Sequence, residues 1–250
     1  MTKRRLKVKK PLPWFKKPLF WVLFFFCLIF VSAIYTFFFS SFFKIKGIEI
    51  FGTKRIQSED LEKFLMERVE GKNIFLIKAN LIKNEILKNF PQVLFVEIER
   101  KFPSSLIFKI SERKEVAVFC QNENCYLIDD KGTVFERSDG IGILKIEKNN
   151  SENEIKPGKK IIEEEILGKI LEIAKEIDFP LERVLVVAED DLHFKTTQGW
   201  EIFIDPQKDI NWQITKLKIA LENAIPKERI NDLEYIDLRF GNFAYPKYKK

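Results

Sequence analysis

The sequence predicts an α+β protein: a single transmembrane helix followed by a small β-α-α-β-β domain and then a mixed, strand-rich β-domain. Three observations lead there. An uncharged apolar run, PLFWVLFFFCLIFVSAIYTFFFSSFF, extends from Pro18 to Phe43. Residues 44–113 then switch to short runs with strand and helix periods. Beyond residue 114, alternating runs dominate and only two helical patterns interrupt them.

The apolar run holds 26 residues, more than a helix rising 1.5 Å per residue needs to cross about 30 Å of hydrocarbon. Before it, MTKRRLKVKKPLPWFKK carries eight Lys or Arg and no acid. By the positive-inside rule this tail, residues 1–17, stays cytoplasmic, and the chain after Phe43 lies outside the cytoplasmic membrane. Removing those eight from the 43 basic residues leaves 35 against 37 acidic ones, so the remainder is slightly acidic. That removes the support for nucleic-acid binding. Val31-Ser32-Ala33 resembles a small-residue cleavage site, but Phe37, Phe38, Phe39, Phe42 and Phe43 prolong the apolar run past it. A retained anchor follows, and a mature N-terminus at Ile34 would overturn it.

Cys27 lies inside the anchor. Cys120 and Cys125 flank Gln-Asn-Glu-Asn in a pattern that reads as a hairpin with a four-residue loop. Directly opposed strand residues are close enough for a bridge, and an oxidising compartment permits one. Two unpaired thiols are the alternative.

In the small domain, KIKGIEIFG is a strand ended by Gly52, and Ser58 is placed to cap SEDLEKFLMERV. Asn80 is placed to cap LIKNEILKNF, which Pro91 terminates. VLFVEIERKF and SSLIFKISE alternate as strands around a Phe102-Pro103 turn. Two helices on a three-stranded sheet would close a core of this size. Further on, Asp129-Asp130-Lys131-Gly132 reads as a hairpin turn, and IIEEEILGKILEIAKEI as an amphipathic helix after Pro157-Gly158. VLVVA, LHFKTT and WEIFID follow as strands, Asp209 is placed to cap a last helix, and EYIDLRF alternates as a closing strand.

The small domain, placed directly after an anchor, resembles a POTRA domain. With Phe90-Pro91 and Val93, KFPSSL from Lys101 to Leu106, Glu112-Arg113 before Val116-Ala117, and the terminal YIDLRFGN, the chain is similar to the FtsQ/DivIB family of bacterial division proteins. One departure is Glu115, where that family commonly has Pro; it bears on strand entry. The resemblance implies a signal anchor at 18–43, a POTRA domain at 44–113, an FtsQ-type β-domain at 114–245 and a C-terminal tail at 246–250.

Catalytic groups are sparse. His193 is the one histidine, in a strand-like run where a structural or surface role is expected, so neither a His-rich metal site nor a ready triad is present. Asp129-Asp130, Asp190-Asp191 and Glu163 to Glu165 read as solvated acids in turns or on an exposed helix face. Gly140-Ile141-Gly142 lacks the spacing of a phosphate loop. The reading is a non-enzyme with no cofactor and no metal. An exposed closing strand then suits β-strand addition, with Leu238 and Phe240 on one face and Arg239 free for an acidic partner. By resemblance, FtsB-like and FtsL-like bitopic division proteins are the partners, with the POTRA domain a second contact surface. The docking segment is Leu238, Arg239, Phe240, Gly241, Asn242, Phe243, Ala244 and Tyr245, with Pro246 ending the pairing. A single-pass scaffold at the division septum, helping control septal peptidoglycan synthesis, is the expected function. A POTRA-bearing chaperone or secretion accessory that binds extended polypeptides is the alternative.

Overall fold

A computed structural model describes residues 17–122, 124–140, 142–149 and 155–249. The basic tail, apart from Lys17, therefore lies outside the described residues, as do Glu123 of the Cys120–Cys125 loop and Ile141. The chain divides into two compact units. One takes the residues up to Phe51 with Gln57–Ile82 and Glu97–Lys109; the other takes Gly52–Ile56, Lys83–Val96 and the chain from Ile110 onward.

Helix α1 (Pro18–Phe39) is long and apolar enough to cross a membrane, and none of its side chains is buried by protein. Proline at its first position is tolerated because the first-turn N–H groups lack intrahelical partners anyway. A single 3-10 turn, Ser41–Phe43, follows. Then come β1 (Gly47–Phe51), α2 (Ser58–Val69), α3 (Ala79–Asn89), β2 (Val93–Lys101) and β3 (Ser105–Glu112). The sheet order is β1-β3-β2, with β1 parallel to β3 and Ile50 opposite Phe108. This is the β-α-α-β-β unit that the apolar periods imply.

The caps differ from expectation. Ser58 is the first residue of α2 rather than its cap, and Asn80 lies within α3 because that helix begins at Ala79. Burial of Leu61, Leu65 and Val69 on α2 and of Ile82 and Ile86 on α3 supplies the driving force for both helices.

The rest of the chain builds one nine-stranded sheet. Its strands are β4 (Ala117–Gln121), β5 (Asn124–Ile128), β6 (Val134–Ser138), β7 (Lys145–Lys148), β8 (Leu181–Ala188), β9 (Asp191–Thr196), β10 (Glu201–Ile204), β11 (Leu233–Asp237) and β12 (Tyr245–Tyr248). They lie in the order β12-β11-β10-β9-β8-β7-β4-β5-β6. The β4–β7, β7–β8 and β10–β11 pairs are parallel; the first is connected through β5 and β6, and the other two connections each contain a helix, α4 (Glu164–Glu176) or α5 (Ile210–Ile219). Parallel neighbours require such a crossover, whereas the antiparallel pairs close with short turns. Leu167, Ile170 and Ile173 of α4 and Ile214 and Leu217 of α5 join Ile146, Val184, Phe194, Ile202 and Ile236 of the sheet in one core. Val118, Cys120, Leu127 and Phe135 form a smaller cluster.

Two local features organise the sheet's β5–β6 corner. Asp129, expected as a solvated turn acid, is only 1% exposed. Its carboxylate accepts from the N–H groups of Lys131 and Thr133 and pairs with Arg113, whose Nε donates to the Pro91 carbonyl. A buried acid survives because charged and neutral donors replace its water. Gly132 sits at φ +76°, and a Cβ there would lie 2.1 Å from the Ile162 carbonyl oxygen, so only glycine fits the turn.

Cys120 and Cys125 face each other across β4 and β5 and are joined by a disulfide, their Cα atoms 4.1 Å apart. Among the described residues Cys27 is the free cysteine. Denatured, unreduced protein should therefore titrate with one thiol per chain and reduced protein with three; three in both states would rule the bridge out.

Candidate partner-binding edge

The far end of the nine-stranded sheet is assembled by the α5 crossover. Asp209 caps α5 as the sequence implies, its Oδ1 accepting from the Trp212 N–H at 3.0 Å. The Gln213 side-chain amide then bonds the backbone of Asp205 on both sides, donating to its carbonyl and accepting from its N–H. These contacts fix the register of α5 after β10 and direct Lys216 toward the end of β11. Leu238 continues the β10–β11 ladder by donating its N–H to the Phe203 carbonyl.

From here the structure departs from the expected strand. Leu238 through Ala244 form a turn, and only Tyr245 of the predicted docking segment belongs to a strand. β12 returns antiparallel to β11, with Asp237 opposite Tyr245 and Ile236 opposite Pro246. Pairing therefore runs through Pro246 to Tyr248, and the expected tail boundary after Tyr245 falls inside β12. Alternation reads EYIDLRF as a strand but carries no information on where the chain reverses. Lys249 donates its N–H to the Asp232 carbonyl, so Tyr245 and Lys247 also turn their N–H groups inward. Pro246 then faces outward, where its missing N–H leaves the inner ladder intact.

The turn is held by lysines. Lys216, 5% exposed, donates from Nζ to the carbonyls of Leu238 at 2.6 Å, Gly241 at 3.1 Å and Phe240 at 3.4 Å. Lys208 takes the Arg239 carbonyl at 2.8 Å. Burial pushes the Lys216 pKa down, although the nearby Asp237 carboxylate favours its charge. Gly241 supplies the positive φ of +48° that the reversal needs.

Arg239 is not free for a partner. Its guanidinium bonds both Asp237 oxygens, at 3.0 and 2.6 Å, and reaches Asp191 at 2.8 Å. Burial works against the Asp237 charge, but the side-chain and backbone donors of Arg239 outweigh it and hold that carboxyl below its ordinary pKa. The Asp237 contact in turn raises the Arg239 pKa. Leu238 is fully buried in the core, so its side chain is also withdrawn. What the turn presents is aromatic: Phe240 at 57%, Phe243 at 71% and Tyr245 at 49% exposure. Gly241 and Asn242 are exposed between them and Ala244 is half-buried.

Next to this lies a feature that sequence reading missed. His193 stacks on Phe203 at 3.8 Å, Phe203 stacks on Tyr235 at 4.5 Å, and Lys247 sits 5.2 Å over Tyr235. The stripe runs across β9, β10, β11 and β12 on the face opposite the core, so His193 has a structural setting between Asp191 and Glu201. His193 lies between buried Leu192 and Phe194, and Phe203 between buried Ile202 and Ile204, an alternation present in the sequence; which strands lie side by side is not.

The two ends of the sheet differ. At β6 the segment after Pro157 closes part of the edge: Val134 donates to the Lys159 carbonyl, Gly158 donates to Val134, and Thr133 bridges Lys160. At β12 no described strand pairs with the outer side. An open ladder beside exposed aromatic rings is suited to accept an incoming strand.

Two family models match the chain: "POTRA domain, FtsQ-type" over residues 43–113 and "Cell division protein FtsQ/DivIB, C-terminal" over residues 117–239. Cell division protein DivIB of Clostridium tetani is 32% identical over 122 residues, covering 48% of this chain and 45% of that protein. Cell division protein FtsQ of Geotalea daltonii is 27% identical over 216 residues, covering 81% of this chain and 75% of that one. Cell division protein FtsQ of Rickettsia bellii is 30% identical over 90 residues, covering 36% and 33%. The match thus spans less than half of the Clostridium protein and three quarters of the Geotalea protein. With the anchor helix, the POTRA unit and the β-domain in the matching order, the chain belongs to the FtsQ/DivIB family of cell division proteins.

Proposed function

We propose that this protein is a non-catalytic, single-pass scaffold of the bacterial divisome that binds FtsB-like and FtsL-like bitopic proteins by β-strand addition. The docking edge is the outer side of β12 together with the Phe240–Tyr245 turn; the POTRA domain, residues 44–113, offers a second contact surface. Its N-terminus is cytoplasmic, its two domains lie outside the membrane at the septum, and its assembly helps control septal peptidoglycan synthesis. Confinement by the anchor raises the effective concentration of weakly binding partners.

The observation that carries this reading is the end position of β12 in the sheet beside three exposed aromatic rings. Pro246 removes one donor from the outer edge, so the ladder available to a partner is short and side-chain contacts must add to it. The family membership supports a divisome partner over an unrelated peptide. Because Phe243 is exposed, Phe243→Glu should leave the thermal midpoint unchanged while abolishing copurification of a coexpressed FtsB-like protein. Phe243→Trp should retain it. Equal copurification by all three chains would remove this edge as the site.

A further inference from the structure

The first small domain does not leave α1 by a linker. Phe43 accepts the Ile74 N–H at 3.0 Å, Lys44 bridges Asn73, and Ile45 donates to the Lys72 carbonyl at 2.9 Å. Asn73 is 8% exposed, and its Nδ2 donates to the carbonyls of Phe37 at 2.8 Å and Phe38 at 3.0 Å. Those are end-of-helix carbonyls with no intrahelical donor, which hydrocarbon cannot satisfy. The loop Lys72–Leu76 is thereby tied to the last turn of α1.

That loop is apolar where it is exposed. Leu76 is 60% and Phe75 37% exposed, and the neighbouring Phe42 and Phe102 are 60% and 57% exposed. Rings connect α1 to the β2–β3 turn through Phe75, whose centroid lies 5.7 Å from Phe37, 5.2 Å from Phe43 and 5.3 Å from Phe102. Phe75 also closes a groove of about 300 Å³ with Phe30, Ala33, Ile34, Phe37 and Phe38 of α1. Phe30 lies nine residues before the helix end, roughly 13 Å along the axis, so the groove extends well into the depth that a bilayer around α1 would occupy. Exposed Lys44 and Lys72 lie on the same segments, as flanking cations do at a headgroup layer.

We propose that Phe75, Leu76 and Phe102 are seated in the outer interfacial layer of the bilayer that holds α1, with lipid acyl chains filling the groove beside Phe75. The occupant is a lipid surface because the patch is continuous with a span whose surroundings must be lipid. The domain is then held in one orientation above the membrane instead of swinging on a tether. This rests on α1 being the membrane anchor.

The test uses the full chain in vesicles of phosphatidylethanolamine and phosphatidylglycerol, with environment-sensitive fluorophores on single thiols. Cys27 of the native chain reports the anchor, since the bridged Cys120 and Cys125 do not react; Leu76→Cys with Cys27→Ser reports the patch. Lipids carrying a shallow quencher should cut the Leu76→Cys emission by roughly half, as expected for a side chain ~5–10 Å into the interface. A deep quencher should do the same for Cys27. Quenching at Cys27 alone overturns the seated patch and leaves the anchor standing. Quenching at neither position, or at Leu76→Cys alone, overturns the anchor and the patch with it.

Discussion

Asp129→Ala is expected to destabilise the β-domain by about 3–5 kcal/mol, the range for removing one partner of a buried ion pair. The substitution leaves the Arg113 guanidinium without its carboxylate and the Lys131 and Thr133 N–H groups without their acceptor. Both losses act in one direction, since the amides beside a position 1% exposed, and the guanidinium with its side chain 16% exposed, do not regain full hydration. Asp129→Asn keeps an oxygen for the turn and should fall between the two. Urea unfolding of the full chain in detergent micelles measures this, and a loss under ~1 kcal/mol for Asp129→Ala would show that the pair is replaceable by water.

On the docking proposed above, Lys216→Met is expected to weaken binding of an FtsB-like partner by on the order of tenfold, or ~1.4 kcal/mol, without touching any exposed residue. Lys216 is a positioning residue: its ammonium gathers three carbonyls of the Leu238–Gly241 stretch, and the turn in turn sets Phe240, Phe243 and the start of β12. Methionine fills the volume but supplies no donor, so the turn samples more conformations before binding and affinity falls by that ordering cost. Amide exchange of Arg239 to Ala244 should accelerate in parallel. Combining Lys216→Met with Phe243→Glu should add little beyond Phe243→Glu alone, because both act on one element. Wild-type affinity and wild-type exchange in Lys216→Met would sink the positioning role.

Both predictions concern residues whose sequence neighbourhood misleads. Asp129-Asp130 reads as a pair of turn acids, and Asp130 is indeed exposed, but a hydrophilic pattern cannot report that Arg113 lies beside Asp129. Lys216 sits in INWQITKLKI, where a lysine ordinarily marks the solvent face of a helix. It is buried because the chain end folds over it 22 residues later. Arg239 fails in the same way, being satisfied by Asp237 and by Asp191 from another strand.

What the sequence determined by itself is everything that depends on local period and on hydration. The charge-free run makes α1 apolar all round. Alternation at Leu106, Phe108 and Ile110 makes β3, and the isoleucine spacing makes α4; in β2 the expected set of Leu94, Val96 and Ile98 holds only in part, since Val93 and Val96 are buried and Leu94 is exposed. Their order was enough to suggest the family. The tertiary structure alone decided that β12 folds back on β11 and takes the end position among the described strands, which lysine holds the turn, and which acids are buried. The physical reason is range: periodicity tells a side chain which face to occupy, whereas a hydrogen bond between Lys216 and the Leu238 carbonyl exists only after β10, α5 and β11 have packed.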